Sequence, residues 1–467
     1  MLTYFPKYFS TRAIMAYFIT LALVSGIFMN RVLPLEFMVF GIIAVSVFFI
    51  FSNKLTMSWG HYPESLFPKK LFTTALFIRL AYVLIIYFYY ISATGEPHAF
   101  HAADEHFYQG SAEVWYKYGF EEFREYMKSY VDFSDSGYCW WLAILYLPFG
   151  PYVLVGRVVK CFIDAFSCVL LYNLGKRNFG DAAGRIGAIF YMLMPNAWLY
   201  CGVTLKEIEM AFMILLFVER GDLALRSPKL KVQDLILPLA IVGVMLMFRT
   251  AVAGVLAAAM VAALIFTSKK QMQLWKKILY TAIFAVWMVA TTGVELIQET
   301  QALWEGREQN QTAGYAYRAE RVDGNQFAKY ASASVFAPLI FTIPFSSMVE
   351  TPMQENQMMM NGANFVKNVM SGLTILALFL LLKRGDWRKH VLPISVMCGY
   401  LVVLVFSNFA HSERFHFPAI ALELMFAAYG VTQLTNKHKR WFNIWLVVIC
   451  VANIAWAWVK LKGRGWA

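Results

Sequence analysis

LFTTALFIRLAYVLIIYFYYISATGEPHAFHAADEHFY, residues 71–108, is the stretch that decides the fold. Residues 71–93 form an apolar run longer than the roughly 18 residues that cross a bilayer as a helix. The chain then turns polar at once and reaches Asp104-Glu105. A span followed by an acidic loop is the unit from which the rest is read.

The apolar run recurs along the chain. The composition is 59% hydrophobic and 17% aromatic, and the mean hydropathy is +0.53. A soluble domain of this length does not need so many apolar residues. Only helices or closed barrels satisfy their backbone inside a bilayer, and these long runs are not the alternating pattern of a barrel. The first segment, near Arg12 to Asn30, lacks a small-residue cleavage site and a second span follows at once. It reads as an uncleaved helix and not as a signal peptide.

The net charge of +12 invites a nucleic-acid reading, but its positions exclude one. The basic residues cluster in short loops between spans: Lys54, Lys69 and Lys70; Lys176 and Arg177; Arg220, Arg226, Lys229 and Lys231; Lys269, Lys270, Lys276 and Lys277; Lys383, Arg384, Arg388 and Lys389; Lys437, Lys439 and Arg440. These are cytoplasmic anchors under the positive-inside rule. Cys161, Cys168, Cys398 and Cys450 lie in apolar spans, where cysteine behaves as a small hydrophobe. No metal-ligand spacing stands out, so no cofactor is expected.

About thirteen spans follow, near 12–29, 33–53, 71–93, 151–175, 183–203, 207–219, 232–248, 250–267, 276–297, 366–383, 391–409, 415–434 and 441–460. The chain divides into two N-terminal helices (1–70), a core (71–297) with an outer loop at 94–150, a second outer loop (298–365) and C-terminal helices (366–467). With the N-terminus cytoplasmic, every basic loop falls on the cytoplasmic side. The exception is the C-terminal tail, with Lys460, Lys462 and Arg464, which falls outside. Both long loops, the turns at 204–206 and 410–414, and Arg249 between two spans then share the outer face.

The first outer loop is not plain linker. Phe107, Val114, Trp115 and Tyr118 recur at helical spacing, and Phe120 to Tyr130 mixes aromatics with charge. Both suit helices lying in the interface. Cys139 to Phe149 reads as a third interfacial or partly inserted helix. The second loop carries Pro338, Pro344 and Pro352, which predicts irregular backbone.

Asp104 and Glu105 are the chemical candidates. A carboxylate beside the bilayer can take a proton from an acceptor attacking a lipid-borne donor. The plainer readings are a solvated acidic loop or an N-terminal helix cap. Lys206 and Arg249 sit at turns where a charge needs a partner or a ligand. Lys206 can equally pair with Glu207 or Glu209, and Arg414 with Glu413. His411 has the ordinary alternative of an interfacial histidine. Arg157, Lys160 and Asp164 share one helical face; Lys160 and Asp164, four residues apart, are expected to neutralise each other. Arg79 and Glu423 lie inside spans without an assigned partner.

At this point the chain resembles the GT-C glycosyltransferases, and most of all the branch of protein O-mannosyltransferases and the bacterial aminoarabinose transferase. Three stretches carry the likeness. The first is Asp104-Glu105 in an outer loop. The second is Gly137-Tyr138 through Gly150, then Arg157 and Leu170-Leu171-Tyr172-Asn173-Leu174-Gly175-Lys176-Arg177-Asn178-Phe179-Gly180, continuing to Met194-Pro195 and Thr204-Leu205-Lys206-Glu207. The third is Glu413-Arg414-Phe415-His416-Phe417-Pro418. Here the acidic pair follows the third span, whereas in that family it follows the first. The resemblance implies a GT-C-like helical bundle in a bacterial inner membrane, with interfacial helices and the active site on the periplasmic side. It also implies a polyprenyl-phosphate sugar donor, a glycan, lipid or protein acceptor, and inverting transfer. Asp104 would be the base and Glu105 its companion. Arg157, Lys206, Glu207, Arg249, His411 and Arg414 would contact donor or acceptor. Some members of the family use a divalent ion and others do not.

Two other functions fit parts of the pattern. A polysaccharide polymerase or O-antigen ligase would lean on arginines of a large outer loop, such as Arg307, Arg318 and Arg321. A lipid-linked oligosaccharide flippase would show cations through the midplane or related halves, and neither is evident.

Overall fold

The computed structural model describes residues 2–226, 233–267, 275, 278–283, 286, 313, 316, 337–407 and 410–466. The helices in chain order are α1 (Lys7–Ile27), α2 (Leu35–Trp59), α3 (Phe67–Thr94), α4 (Ala103–Tyr118), α5 (Phe120–Tyr130), α6 (Phe133–Phe149), α7 (Val153–Phe179) and α8 (Asp181–Leu193). They continue with α9 (Pro195–Cys201), α10 (Glu207–Arg226), α11 (Gln233–Phe266), α12 (Glu355–Met359), α13 (Asn361–Arg384), α14 (Val391–Val405), α15 (Glu413–Thr432) and α16 (His438–Lys462). Among the described residues the β structure is one isolated bridge, Val32 to Val349. The expected all-α membrane fold is what forms. Six helices, α1, α2, α3, α13, α15 and α16, are long and apolar enough to cross a membrane. Of the expected span at 276–297, residues 278–283 and 286 are described and helical. The rest of it and most of the second loop, with Arg307, Arg318 and Arg321, lie outside the described residues, as do Lys229, Lys231, Lys269, Lys270, Lys276 and Lys277.

Local sequence explains where these helices stop. Gly95 ends α3 in the left-handed region, φ 81°, and its N–H closes on Ile91 O at 3.0 Å. On α3, Phe77, Ile85 and Phe88 stay exposed, whereas α15 is buried along almost its whole length. The first pattern is a helix at the lipid boundary and the second a helix at the centre of a bundle.

Residues 183–203, expected as one span, are broken. Met194 is extended and Pro195 starts α9. Proline has no N–H to give the carbonyl four residues back and disfavours a helical residue before it. The freed carbonyls find other donors. Arg79 donates through Nη1 to Met192 O at 3.0 Å and through Nη2 to Tyr191 O at 3.4 Å, and Trp198 Nε1 reaches Met192 O at 3.0 Å. Arg79 also pairs with Asp164, both fully buried, and Asp164 accepts from Tyr191 Oη at 2.6 Å.

The expected Lys160–Asp164 neutralisation is therefore wrong. Asp164 points to Arg79, while Lys160 donates to Val203 O and Leu205 O and has Glu209 at 3.9 Å. An i, i+4 spacing brings side chains to one face, but a guanidinium on the next helix offers Asp164 a stronger partner. Glu423 faces Lys367 at 3.8 Å.

The two halves of α11 form a hairpin. Arg249 is extended, φ −168° and ψ 104°, between two helical stretches. Asp234 lies 3.8 Å from Arg220, and Met260 packs at Gly221, where an added Cβ would be 2.8 Å from its methyl. Both halves thus return to the same level of α10, with Arg249 at the far turn as expected. α10 itself runs on to Arg226, well past the expected end near 219.

The loops sort onto two faces. On one, Arg177 bonds Glu219 and Asp222, Arg226 bonds Asn178 and Lys389 O, Arg185 bonds Trp59 O and Tyr62 O, and Lys176 meets Glu64. On the other lie the acidic loop, the 204–206 turn, Arg249, Arg414 and the C-terminal Lys460.

Replacing Asp164 with Ala would leave Arg79 as a buried unpaired charge at the Pro195 break. The expected loss is about 3–5 kcal/mol, read as a large fall in thermal unfolding temperature of the detergent-purified protein. A change of a degree or less would contradict this role for the pair.

Candidate functional site

The site forms where α4, the 203–206 turn, the α11 hairpin and the start of α15 meet. Asp104 is in the first turn of α4, two residues past the N-cap Ala102, and it does not cap the helix. Its Oδ2 instead accepts from Arg414 Nη1. Arg414 Nε donates to Glu207 Oε1. One guanidinium thus joins a buried carboxylate, Glu207, to one whose side chain is 60% exposed, Asp104. Among the described residues, no hydrogen bond is made to the other Asp104 oxygen, Oδ1. Arginine suits this bridge because its planar fork serves two acceptors at once.

A second ion pair stands beside the first. Lys206 Nζ donates to Asp135, to Ser134 O at 3.1 Å and to Phe248 O at 2.5 Å. Asp135 also accepts from Tyr108 Oη at 2.8 Å. Burial acts to raise the Asp135 carboxyl, but Lys206, Tyr108 and Arg249 outweigh it and hold it below its usual range. α6 comes close enough to the hairpin for this because Gly137 has no side chain. A Cβ there would lie 2.6 Å from the Phe248 ring.

Glu105 is the hub beneath Asp104. It is 1% exposed. Its Oε2 accepts from Thr204 N at 2.6 Å and Arg157 Nη2 at 3.2 Å, and Oε1 accepts from Ala99 N at 3.1 Å. His98 Nδ1 lies 3.7 Å away. Burial alone would push this carboxyl up. His98, Arg157 and the two amides outweigh burial and hold it at about 2. Glu105 therefore ties the 203–206 turn to the loop before α4, and it also lines the cavity beside Asp104. Arg157 is fully buried against Glu105 and Pro97 O. It keeps Nε and Nη1 unpartnered.

A cavity of about 250 Å³ opens at Asp104, Glu105, Glu413 and Arg414. Tyr90, Phe100, Leu199, Tyr200, Met359 and Met360 give it an apolar side. His101 and Asn356 face each other's segments across it: His101 Nε2 lies 2.9 Å from Glu355, and Asn356 Nδ2 donates to Phe100 O at 2.6 Å. Lys206, Glu207, Arg249 and His411 do not line it. Lys206 and Glu207 stand directly behind it through their partners. Arg249 lies over the Phe415 ring at 4.3 Å, and its charge acts on Lys206, Asp135 and Glu207. Among the described residues no carboxylate oxygen lies within 4.0 Å of Arg249, whereas Arg157, Lys206 and Arg414 each have one. His411 sits in the turn before α15 near His416. The alternative reading of Arg414, an ion pair with Glu413, is not what forms, because Arg414 turns to the more deeply buried Glu207.

Asp135, Tyr108, Asn356, Met359 and Met360 were not legible as site residues. Asp135 was visible as one acid in an acidic loop, but nothing in the sequence set it opposite Lys206. Glu96, His98 and His106 bring ligand atoms within 4.8 Å of one another, so a divalent ion could be held at the edge of the α3–α4 loop.

Comparison with known proteins agrees in kind. Residues 329–460 match the Alg9-like mannosyltransferase family. No curated protein matches the chain. Among solved structures it is similar to ArnT from Cupriavidus metallidurans bound to undecaprenyl phosphate, with 12% identity and a TM-score of 0.46 over 83% of this chain and 75% of that one. It is also similar to the Archaeoglobus fulgidus oligosaccharyltransferase tethered with an acceptor peptide containing the NVT sequon, with 13% identity and a TM-score of 0.45 over 86% of this chain and 56% of that one. The family match and the resemblance read from the sequence name one enzyme class, a GT-C-type glycosyltransferase.

The Glu105 hub carries a pH signature. A carboxyl lowered from its ordinary 4.5 to about 2 contributes stability above pH 4.5 and loses it as pH falls toward 2. Glu105→Gln should lower the unfolding temperature at neutral pH and flatten its dependence on pH between those values. An unchanged acid profile in the variant would contradict the hub role.

Proposed function

We propose that this integral membrane protein moves a sugar from a polyprenyl-phosphate carrier to a glycan, lipid or protein acceptor, with inversion, using Asp104 as general base. The observation that carries the reading is the Asp104 carboxylate on the cavity wall. Arg414 fixes one oxygen and the other is open to an incoming hydroxyl or amine. A base needs this combination of fixed aim and free lone pair.

The step balances on these groups. The acceptor's O–H or N–H bond breaks and its proton goes to Asp104 Oδ1. The acceptor atom bonds the anomeric carbon from the face opposite the carrier. The bond from that carbon to the phosphate oxygen breaks, and its electron pair leaves with the lipid phosphate. That departing charge needs nearby cations. Arg249, which among the described residues has no carboxylate partner within 4.0 Å, is the one best placed to take it, with Arg414 behind it. Lys206 and Glu207 hold the hairpin and Arg414 in place.

The sidedness proposed is a bacterial inner membrane, an N-terminus in the cytoplasm and the cavity outside. The gathering of the basic loops on the opposite face supports it. A site on that side meets lipid-borne sugars, because nucleotide sugars are cytoplasmic.

Asp104→Asn should reduce transfer from a lipid-phosphate sugar by about 10²–10⁴-fold without lowering expression or thermal stability. Arg249→Gln should chiefly raise the KM for the lipid donor. Full transfer by the Asn variant would remove Asp104 as base. Transfer by the purified protein from a nucleotide sugar, with no lipid carrier, would overturn the donor assignment.

A further inference from the structure

We propose that Lys460 is a positioning residue for transfer: from the last helix of the chain it pins residues 346–360, the strap that forms one wall of the Asp104 cavity. The inference rests on reading that cavity as the transfer site.

Lys460 lies two residues before the end of α16 and is 5% exposed. An ammonium has three N–H groups. Lys460 gives them to Ser347 Oγ, to Gln354 Oε1 at 3.0 Å and to Gln357 Oε1 at 2.7 Å. All three acceptors are on the strap. Among the described residues no carboxylate lies within 4.0 Å of the ammonium, and its hydrogen-bond acceptors are three neutral oxygens. That arrangement is costly to bury, and simple adhesion of α16 to the strap would be served better by an apolar side chain. What the ammonium adds is direction: three points of the strap are fixed to one atom.

The strap has little of its own to hold it. The five-residue α12 is its one helix, and Met353 sits in the left-handed region at φ 62°. Its other ties to the body include Ser346 N to Asn453 Oδ1 at 2.6 Å and Glu350 N to Arg31 O at 3.1 Å, which precede the part that meets the cavity. Within that part they include Asn356 Nδ2 to Phe100 O and His101 Nε2 to Glu355. Asn356, Met359 and Met360 line the cavity immediately beyond Gln354 and beside Gln357. Methionine side chains adapt to whatever space they are given, so the position of this wall is set by its polar tethers, and Lys460 supplies three of them. The charge of Lys460 also acts on Glu413, which lines the cavity next to Arg414. One ammonium thus bears on two walls.

The test separates the tether from the chemistry. In a chain carrying Asn356→Cys, the rate of maleimide labelling at that position reports the strap, measured over the background of the native cysteines. Lys460→Met should speed this labelling about tenfold, the factor expected when one charge-assisted tether is lost. In the chain with native Asn356, the same change should raise the donor KM about tenfold and leave kcat within about twofold. Lys460→Arg should restore both readouts toward the wild type. If Lys460→Met does not yield folded protein, Lys460→Gln is measured in its place with the same expectation. Unchanged labelling would overturn the proposal, as would a loss confined to kcat. Labelling needs no substrate, so it stands whether or not the cavity transfers sugar; Asp104→Asn should leave it unchanged.

Discussion

The structure depends on one constraint: a guanidinium or ammonium held among apolar helices must have a partner. Arg414 meets it with two carboxylates, Glu207 beneath and Asp104 above. The same rule places Arg79 on Asp164 and Arg157 on Glu105. Each pair joins elements distant in sequence, so the charges stitch the bundle as well as face the cavity. Buried pairs add little net stability when intact, but removing one member leaves the other exposed to the full cost of burial. The site is therefore rigid for an electrostatic reason. Asp104 is the member of this set left substantially open.

Around that pair the loops behave as a built surface. Glu105 ties the 203–206 turn to the loop before α4, and Lys160 holds the same turn from the other side through two carbonyls. The turn in turn presents Lys206 to Asp135 and to the end of the first half of α11. Arg249 reaches this neighbourhood because a single extended residue reverses the chain between two apolar helices. A longer connection would have carried it away from Phe415. The opposite face has its own network of Arg177, Asp222, Arg226 and Asn178.

Much of the fold was legible because apolar runs and basic loops report on membrane segments directly. The helices at 103–118 and 120–130 follow the aromatic spacing, and the turn at Arg249 follows the pair of short runs around it. What escaped the sequence was partnership. Spacing suggested Lys160 with Asp164 and Arg414 with Glu413, yet both charges found stronger geometry on other helices. Residues 183–203 read as one span despite Pro195, and nothing in the sequence said that Arg79 would fill the break there. Within the site, the acidic pair was legible as a motif while its division of labour was not. Neighbours in a helix point about 100° apart, so Asp104 stays largely exposed at the cavity while Glu105 is buried beneath it. The Met359–Met360 wall is invisible to spacing, since methionines in an apolar chain read as core.

The central claim is that lipid-borne phosphate binds at the face carrying Asp104, beside Arg249. A cryo-electron microscopy structure of the protein in a lipid nanodisc with a polyprenyl phosphate added tests this most directly. The account predicts density for the phosphate within hydrogen-bonding distance of Arg249, with the cavity at Asp104 on its polar side and the tail between apolar helices. Phosphate density on the opposite face, among Arg177, Arg226 and Lys389, or on the Asp104 face but out of reach of both Arg249 and Arg414, would contradict it.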